Sequence, residues 1–371
     1  MAAAAKAKAD SAQLRVMIVD DSMAARTLLR RSLSVEPNIE IVASVGAGDA
    51  ALASVAEAAP DVLLLDLDMP GMQGVDGLAA LRAKRPGLKI VILASSPLSD
   101  PNAGMRAMRA GAAEFMVMPA DMRSGPSSHA FEHDLRRKVL SLANARPAPA
   151  PGRAASGAAP TRLGMPPRPA LRAPATRVSA IAIGCSTGGP QALANVLGGW
   201  KTRSVSQPVF ITQHMPATFT SVLAEHLSRS SGMPAAEAVD GEAVAPDRIY
   251  IAPGDRHMIV EAGDGAPVIR LDDGPQVNFC RPAADPMFFS LAKVYRAGLV
   301  AAVLTGMGRD GCDGAGAIKA AGGHVFVQDE ASSVVWGMPG AVSSAGFADD
   351  ILPLDDVGPA LAAFARGGAG R

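Results

Sequence analysis

The sequence is poor in aromatic residues, in cysteine and in net charge. Aromatic side chains make up 4% of the 371 residues, which argues against a surface that stacks on nucleic-acid bases. Lysine plus arginine number 35, as do aspartate plus glutamate, so no overall field attracts a polyanion or an anionic membrane. The three cysteines form neither a CxxC motif nor a Cys/His cluster, which excludes a disulfide scaffold and disfavours structural zinc.

Long apolar runs are also missing. The longest, such as residues 299–304, fall far short of the roughly 20 residues that a membrane-spanning helix needs. The first ten residues are alanines interrupted by Lys6, Lys8 and Asp10, which is not the pattern of a secretory signal. We therefore expect a cytoplasmic protein that neither inserts into a membrane nor binds nucleic acid.

Length and a change in composition predict two domains. At about 150 residues per domain, the chain has room for two or three. Residues 145–176 are rich in proline, alanine and arginine and contain no acidic residue, which predicts a solvated linker. A docking surface for an acidic partner is the alternative for this stretch. We expect a disordered N-terminus over 1–13, a first domain over 14–144 and a second over 177–367.

Short apolar segments alternate with helical stretches on both sides of the linker. Five such strand–helix units precede it, which predicts a doubly wound, five-stranded parallel sheet with helices on both faces. After the linker the alternation returns, and residues 236–273 contain three apolar segments separated only by short turn signals. We predict an α/β fold for each domain, the second with a mainly parallel sheet and an antiparallel hairpin region.

Three carboxylates are expected at one edge of the first sheet. Asp20 and Asp21 follow the first strand and Asp66 ends the third, and parallel strands direct their carboxyl ends to a common crevice. Oxygen ligands favour Mg²⁺, and Asp66 is placed to attack a phosphoryl donor, with the Ser95 hydroxyl available to bind the product oxygens. Helix capping and strand-end charge are the simpler alternative for these acids.

The segments VDDS, LLLDLDMPGMQG and ILASS resemble the receiver domain of bacterial response regulators. The resemblance implies that Asp66 is phosphorylated from a sensor histidine kinase, that Mg²⁺ binds Asp20, Asp21 and Asp66, and that Ser95 is the switch hydroxyl. Met118 stands where receivers carry a lysine. A thioether cannot pair with a phosphoryl oxygen, which weakens the expected coupling between phosphorylation and conformational change.

A second candidate site begins at Gly184-Cys185-Ser186-Thr187-Gly188-Gly189, between an apolar strand and a helical stretch. The spacing matches G-x-S-x-G, in which small neighbours expose a serine nucleophile on a tight turn. A Walker-type phosphate loop is excluded because no Lys-Ser or Lys-Thr pair follows Gly189. A dinucleotide-binding loop remains an alternative from this segment alone.

Two further polar residues follow other strands of the second domain. His214 directly follows the strand VFITQ and supplies an imidazole that can accept the serine proton. Asp310 lies in the loop LTGMGRDG, where it can orient that imidazole. Each residue alone is more typical of a structural role. The order Ser186, His214, Asp310 differs from that of α/β-hydrolases, so another scaffold is expected.

The segments IAIGCSTGGP, ITQHMP, YIAPGDRHM and LTGMGRDGCDG resemble the catalytic domain of the chemotaxis response-regulator family of protein-glutamate methylesterases/protein-glutamine glutaminases, the CheB family. The resemblance implies demethylation of glutamate methyl esters, with release of methanol, and deamidation of glutamines on cytoplasmic helices of chemoreceptors. It implies Ser186 as nucleophile, His214 as base, Asp310 as its orienting acid and the Met307 amide in the oxyanion hole. It also implies ester hydrolysis without a cofactor, and a receiver that covers the cleft until it is phosphorylated.

The segment VNFCRPAADPMFF departs from the family pattern. Cys280 and Ala283 stand where the family has a histidine and a serine, which can alter substrate handling. For Cys280, a buried and inert cysteine is more common than a reactive thiol. For His257, we favour a structural role over a role in the active site. Two other functions stay open, a signalling scaffold without turnover and a constitutive esterase of a non-chemotaxis pathway.

Overall fold

The chain forms two compact units, Met1–Pro147 and Ala148–Arg371. No helix among the described residues is long and apolar enough to cross a bilayer. The computed structural model describes residues 13–66, 69, 74–94, 101–119, 126–143, 176–198, 200 and 205–367. Almost all of the predicted N-terminal segment and of the predicted linker lies outside these residues, as does Ser95.

The first unit is a five-stranded parallel sheet in the order β2-β1-β3-β4-β5, which confirms the predicted doubly wound fold. Its elements are β1 Leu14–Val19, α1 Met23–Leu33, β2 Ile39–Val45, α2 Gly48–Ala58, β3 Val62–Asp66, α3 Gly74–Lys84, β4 Lys89–Ala94, α4 Pro101–Arg109, β5 Glu114–Val117 and α5 Pro126–Ala143.

Burial explains why the central strands of this sheet read as continuous apolar runs. Every residue of β3 and β4 is buried, as expected where helices cover both faces of a parallel sheet. Ser22 caps the N-terminus of α1, and its hydroxyl accepts the amide proton of Ala25, so this helix starts shortly after β1. The pairing of β1 with β3 brings Asp20 and Asp66 to the same edge.

The second unit contains a seven-stranded parallel sheet in the order β14-β13-β12-β6-β7-β9-β8 and a two-stranded antiparallel ribbon, β10-β11. Its elements are β6 Ala180–Cys185, α6 Gly189–Leu197, β7 Val209–Gln213, α7 Ala217–Ser231, β8 Ala235–Glu237, β9 Ile249–Ile251, β10 His257–Glu261, β11 Val268–Asp272, α8 Ala284–Tyr295, a 3₁₀ turn Arg296–Gly298, β12 Leu299–Val303, α9 Cys312–Ala320, β13 His324–Gln328, α10 Met338–Ser344, β14 Asp350–Leu352 and α11 Leu354–Ala365.

The antiparallel region is smaller than the turn signals predict. β10 and β11 form the expected hairpin, whereas β9 pairs in parallel with β7 and β8 in the main sheet. All three residues of β9 are buried, and Tyr250 stacks on Phe210 of β7 with ring centroids 5.5 Å apart. This burial explains why β9 joins the main sheet and not the ribbon.

Small residues at the centre of the sheet let α8 approach closely. β6 and β12 are adjacent and fully buried, and both are rich in alanine. A Cβ atom on Gly184 would lie 2.9 Å from the Cβ atom of Ala284, so glycine at this position allows α8 to begin beside the end of β6. The N-terminus of α8 therefore lies at the carboxyl edge of the sheet.

Candidate active site

Three neighbouring strands place the predicted catalytic residues at one edge of the sheet. β6 lies between β12 and β7, so the segments that follow these strands are adjacent. The Ser186 amide donates to the Thr305 carbonyl (3.0 Å), and the His214 amide donates to the Cys185 carbonyl (3.1 Å). Ser186 is therefore held between the loop that leads to Asp310 and the end of β7, which His214 directly follows.

Glycines make room for the turn at Ser186. Gly188 has a φ of 79°, which a residue with a side chain rarely adopts. A Cβ atom on Gly189 would lie 1.9 Å from the Gln213 Oε1 atom, and one on Gly306 would lie 2.8 Å from the Ser186 Cβ atom. The glycine pattern thus reflects close packing around the serine.

Asp310 and His214 form a short hydrogen bond, with 2.7 Å between Asp310 Oδ2 and His214 Nε2. The same carboxylate accepts the amide protons of Ala284 (2.5 Å) and Asp285 (3.1 Å) at the start of α8, and a proton from Asn278 Nδ2 (3.3 Å). Burial disfavours the charge, but His214 and the amide donors outweigh it and lower the pKa of Asp310. The ionised carboxylate requires that His214 Nε2 carries a proton.

The other ring nitrogen of His214 contacts a thiol. The distance between His214 Nδ1 and Cys280 Sγ is 3.4 Å. Among the described residues, the Ser186 hydroxyl makes no hydrogen bond. Burial opposes a charged ring, but Cys280 and then Asp310 raise the pKa of His214 to about 10. The contact between Cys280 and His214 could not be read from the sequence, where Cys280 stands out only as a departure from the family motif.

A second carboxylate lies behind Asp310. Asp285 accepts protons from the Gly314 amide (2.7 Å) and from Asn278 Nδ2 (2.8 Å), so Asn278 bridges two acidic side chains. Burial and the charges of Asp310 and Asp313 raise the pKa of Asp285 to about 6. Sequence reasoning missed both Asn278 and Asp285. The nearest signal was an acid in the first turn of the helix that follows the departing motif.

The Met307 amide lies in a loop that backbone hydrogen bonds to the segment 335–338 hold in place. The Gly306 amide donates to the Val335 carbonyl (3.0 Å), and the Gly306 carbonyl accepts from the amides of Gly337 (3.0 Å) and Met338 (2.8 Å). Within the described part of the chain, the Met307 amide itself donates no hydrogen bond. It is thus available to a developing oxyanion near Ser186.

His257 is a structural residue of this region. It is buried, its Nδ1 accepts the Ala283 amide proton (3.1 Å), and its Nε2 donates to the Pro275 carbonyl (3.0 Å). Ala283 therefore contributes its backbone to the site and packs its side chain in the core. Cys185 is also buried, which raises the pKa of its thiol, and its Sγ contacts Gln213 Oε1 at 3.1 Å.

The first unit has a separate acidic site. One carboxylate oxygen from each of Asp20, Asp21 and Asp66 lies within 4.8 Å of the others. Asp20 is fully buried, and its Oδ2 makes no hydrogen bond in the described part of the chain. Burial and the charge of Asp21 raise the pKa of Asp20. A buried, unsatisfied carboxylate oxygen beside two further acids fits a hard divalent cation such as Mg²⁺.

Met118 follows β5 at the edge where β4 ends. Its amide donates to the Ala94 carbonyl (2.8 Å), and its side chain is buried. Arg26 supplies positive charge next to the acids, with Nη1 bonded to the carbonyls of Asp20 (2.6 Å) and Asp21 (3.1 Å). The thioether at position 118 adds no charge to this site.

Comparison with known proteins assigns both units. Residues 16–125 match the family of response regulator receiver domains, and residues 181–361 match the CheB methylesterase family. A protein-glutamate methylesterase/protein-glutamine glutaminase of Paramagnetospirillum magneticum is 45% identical over 93% of this chain and 94% of its own length. One of Azospirillum brasilense is 44% identical over 95% of this chain and 93% of its own. The chain belongs to the CheB methylesterase family.

Solved structures of CheB domains match each unit separately. The Thermotoga maritima CheB methylesterase catalytic domain is 38% identical, with a TM-score of 0.48, over 50% of this chain and 98% of its own. The response regulator domain of Thermotoga maritima CheB is 26% identical, with a TM-score of 0.33, over 36% of this chain and 99% of its own.

Membership in the CheB family makes this chain a methylesterase of the hydrolase class that carries a response regulator. A receiver domain implies the Mg²⁺-dependent phosphorylation usual for such domains, and the acidic site of the first unit is chemically suited to it.

Proposed function

We propose that this CheB family member demethylates glutamate methyl esters and deamidates glutamines on cytoplasmic helices of chemoreceptors, and so resets a chemotaxis-type signal. The observation that carries the proposal is the 2.7 Å bond between His214 and Asp310, beside the turn that presents Ser186. A receptor substrate of this kind places the enzyme in the cytoplasm.

In the proposed reaction, Ser186 Oγ attacks the carbonyl carbon of the ester and His214 Nδ1 takes the hydroxyl proton. Asp310 stabilises the charged ring through Nε2, and the Met307 amide donates to the developing oxyanion, a contribution of about 2.7–4 kcal/mol for such donors. His214 then protonates the departing methoxide, and methanol leaves. Water then attacks the acyl carbon and transfers a proton to His214, and the ring passes this proton to Ser186 Oγ as the bond to the acyl group breaks and the glutamate carboxylate leaves. With a glutamine substrate, ammonia is the leaving group.

The receiver is proposed to regulate this activity through Asp66. A sensor histidine kinase donates the phosphoryl group, and Asp20, Asp21 and Asp66 would hold Mg²⁺, which neutralises charge on the phosphoryl oxygens. Ser95 is proposed to bind a phosphoryl oxygen. Met118 is the observation that favours a second candidate, a constitutive esterase, because this site lacks the lysine of other receivers.

The proposal is tested by methanol release from methylated receptor fragments. Wild type is expected to release methanol, whereas Ser186→Ala releases none and accumulates no acyl-enzyme detectable by mass spectrometry after rapid quenching. Ser230→Ala is the matched control, because Ser230 lies on α7 and its hydroxyl bonds only within the helix. Equal release by Ser186→Ala and wild type would overturn the assignment, and no release by either would favour the scaffold without turnover.

A further inference from the structure

Cys280 lies against the only ring nitrogen of His214 that Asp310 leaves open. The Asp310 carboxylate is surrounded by donors, so His214 Nε2 donates to it and Nδ1 is the proton acceptor. Cys280 Sγ is 3.4 Å from that acceptor, although 66 residues separate the two in the chain. The thiol is thus placed to transfer its proton to the nitrogen that Ser186 needs, which leaves a thiolate that accepts a hydrogen bond from the charged ring.

The turn that carries Cys280 is held in an unusual conformation. The amides of Val277 and Cys280 each donate to the other residue's carbonyl, at 3.0 and 2.9 Å. Between them Asn278 and Phe279 have φ values of 51° and 64°, a region that side chains such as phenylalanine avoid. Asn278 Nδ2 bonds to Asp285 and Asp310. Strain of this kind persists where surrounding bonds hold it, so these bonds fix the position of Cys280.

The residues after Cys280 are anchored as well. Arg281 Nη1 donates to the carbonyls of Asp273 (2.9 Å) and Gly274 (2.8 Å). His257 binds the Ala283 amide and the Pro275 carbonyl. Backbone motion of this segment would break these bonds. Nδ1 therefore becomes free to accept the Ser186 proton only when the ring loses its proton or the Cys280 side chain rotates away.

We propose that Cys280 is a positioning residue for His214. Its sulfur pairs with the charged ring at Nδ1 and so sets the pH above which the imidazole can accept the proton of Ser186. The proposal rests on the proposed function, in which Ser186 is the nucleophile and His214 is its base. It gives a specific role to the sequence position at which this chain departs from the family pattern.

The direction of the pH effect follows from the groups around the ring. Cys280 and Asp310 are the titratable side chains that stabilise its charge, and Asp285 faces Asp310 from α8. A charged imidazole cannot act as a base, so activity rises as pH passes the pKa of His214. Loss of the sulfur removes one charge partner, and such partners shift a pKa by about 1–3. The acid limb of the pH–activity profile should therefore move to lower pH without Cys280.

The test combines NMR titration of the His214 ring in the full chain with the pH dependence of kcat/KM for methylated receptor fragments. The variants are Cys280→Ser, which is nearly isosteric, and Cys280→Ala. Cys312→Ser is the matched control, because the Cys312 thiol bonds to the Ala341 carbonyl and not to His214. Both Cys280 variants are expected to lower the titration midpoint of His214 and the acid limb together by about one pH unit or more.

The control should leave both curves unchanged. An unchanged His214 midpoint in both Cys280 variants would overturn the proposal, as would a lowered midpoint with an unmoved activity profile. The NMR readout does not depend on turnover. If Ser186→Ala retains full activity, the proposed nucleophile fails, while a lowered His214 midpoint in the Cys280 variants still establishes the thiol–imidazole pair.

Discussion

The two polar sites of this chain are completed in different ways. In the second unit, the Asp310 carboxylate is satisfied by His214, by Asn278 and by two amides of α8. In the first unit, Asp20 keeps a buried oxygen without a hydrogen bond in the described residues. The protein itself thus satisfies the charge beside His214 and Ser186, whereas the acids of the first unit are chemically suited to a cation that would complete their site.

We expect the largest effect on activity from a substitution of Asp310 in the second unit. The Asp310 carboxylate accepts four hydrogen bonds. In Asp310→Asn one of the two oxygens becomes an NH₂ group, which donates, and this disfavours the form of His214 that carries its proton on Nε2. We expect kcat for methanol release to fall by about 10⁴-fold. Asp313→Asn is the matched control, because Asp313 is exposed and pairs with Arg309 on the surface. A fall of less than about tenfold in Asp310→Asn would contradict the role of this carboxylate.

Asp66→Asn should break the receiver site alone. The amide cannot form the acyl phosphate, so incorporation of phosphate from a small-molecule donor is expected to vanish, along with any stimulation of methanol release by that donor. The unstimulated rate should match that of wild type. Glu57→Gln, at an exposed acid of α2, serves as the control. Full stimulation of Asp66→Asn by the donor would place the phosphorylation site elsewhere.

The buried Asp285 gives the second unit a pH-dependent stability. Its folded pKa is raised from 3.8 to about 6, so the native state binds a proton more tightly than the unfolded state. This contribution is fully present below the unfolded pKa and is lost as pH rises through the folded one. Unfolding free energy measured by denaturant titration should therefore fall by about 1–3 kcal/mol from this group between about pH 4 and pH 6.

Asp285→Asn should flatten that slope, since the substituted side chain does not titrate. The exposed Asp264→Asn is the control. Equal slopes in wild type and Asp285→Asn over this range would show that Asp285 is not the group responsible.

Met118→Lys adds positive charge to the receiver site and tests whether the lysine missing there limits the response to phosphorylation. We expect a few-fold greater stimulation of methanol release by phosphoryl donor and Mg²⁺, with the unstimulated rate unchanged. Met118→Leu keeps the position apolar and should behave as wild type. If the lysine variant shows no gain while wild type is already stimulated, charge at position 118 is not what limits coupling.

The strand pattern predicted the α/β architecture of both units because buried parallel strands leave a continuous apolar signal. It also predicted that Ser186, His214 and Asp310 share one edge, since parallel strands end together. The prediction that β9 belongs to the antiparallel region was wrong, because turn signals do not show which sheet a three-residue strand joins. The roles of Ser186, His214 and Asp310 stay predictions until the variants are measured.

The contacts made by Cys280 and Asn278 lay beyond sequence reasoning. They depend on a turn with positive φ at two residues other than glycine, a conformation that the local sequence disfavours and that distant hydrogen bonds hold. Such contacts join residues far apart in the chain and have no periodic signature. Ser95 lies outside the described residues, so its switch role also stays a prediction.

The most direct test of the contrast between the two sites is methanol release by the wild-type chain after removal of divalent cations. Release should be measured with a chelator, with Mg²⁺ alone, and with Mg²⁺ plus phosphoryl donor. The account predicts equal, Ser186-dependent release in the first two conditions and a higher rate only in the third. Loss of release on chelation without donor would contradict it, because the esterase site would then also depend on a cation.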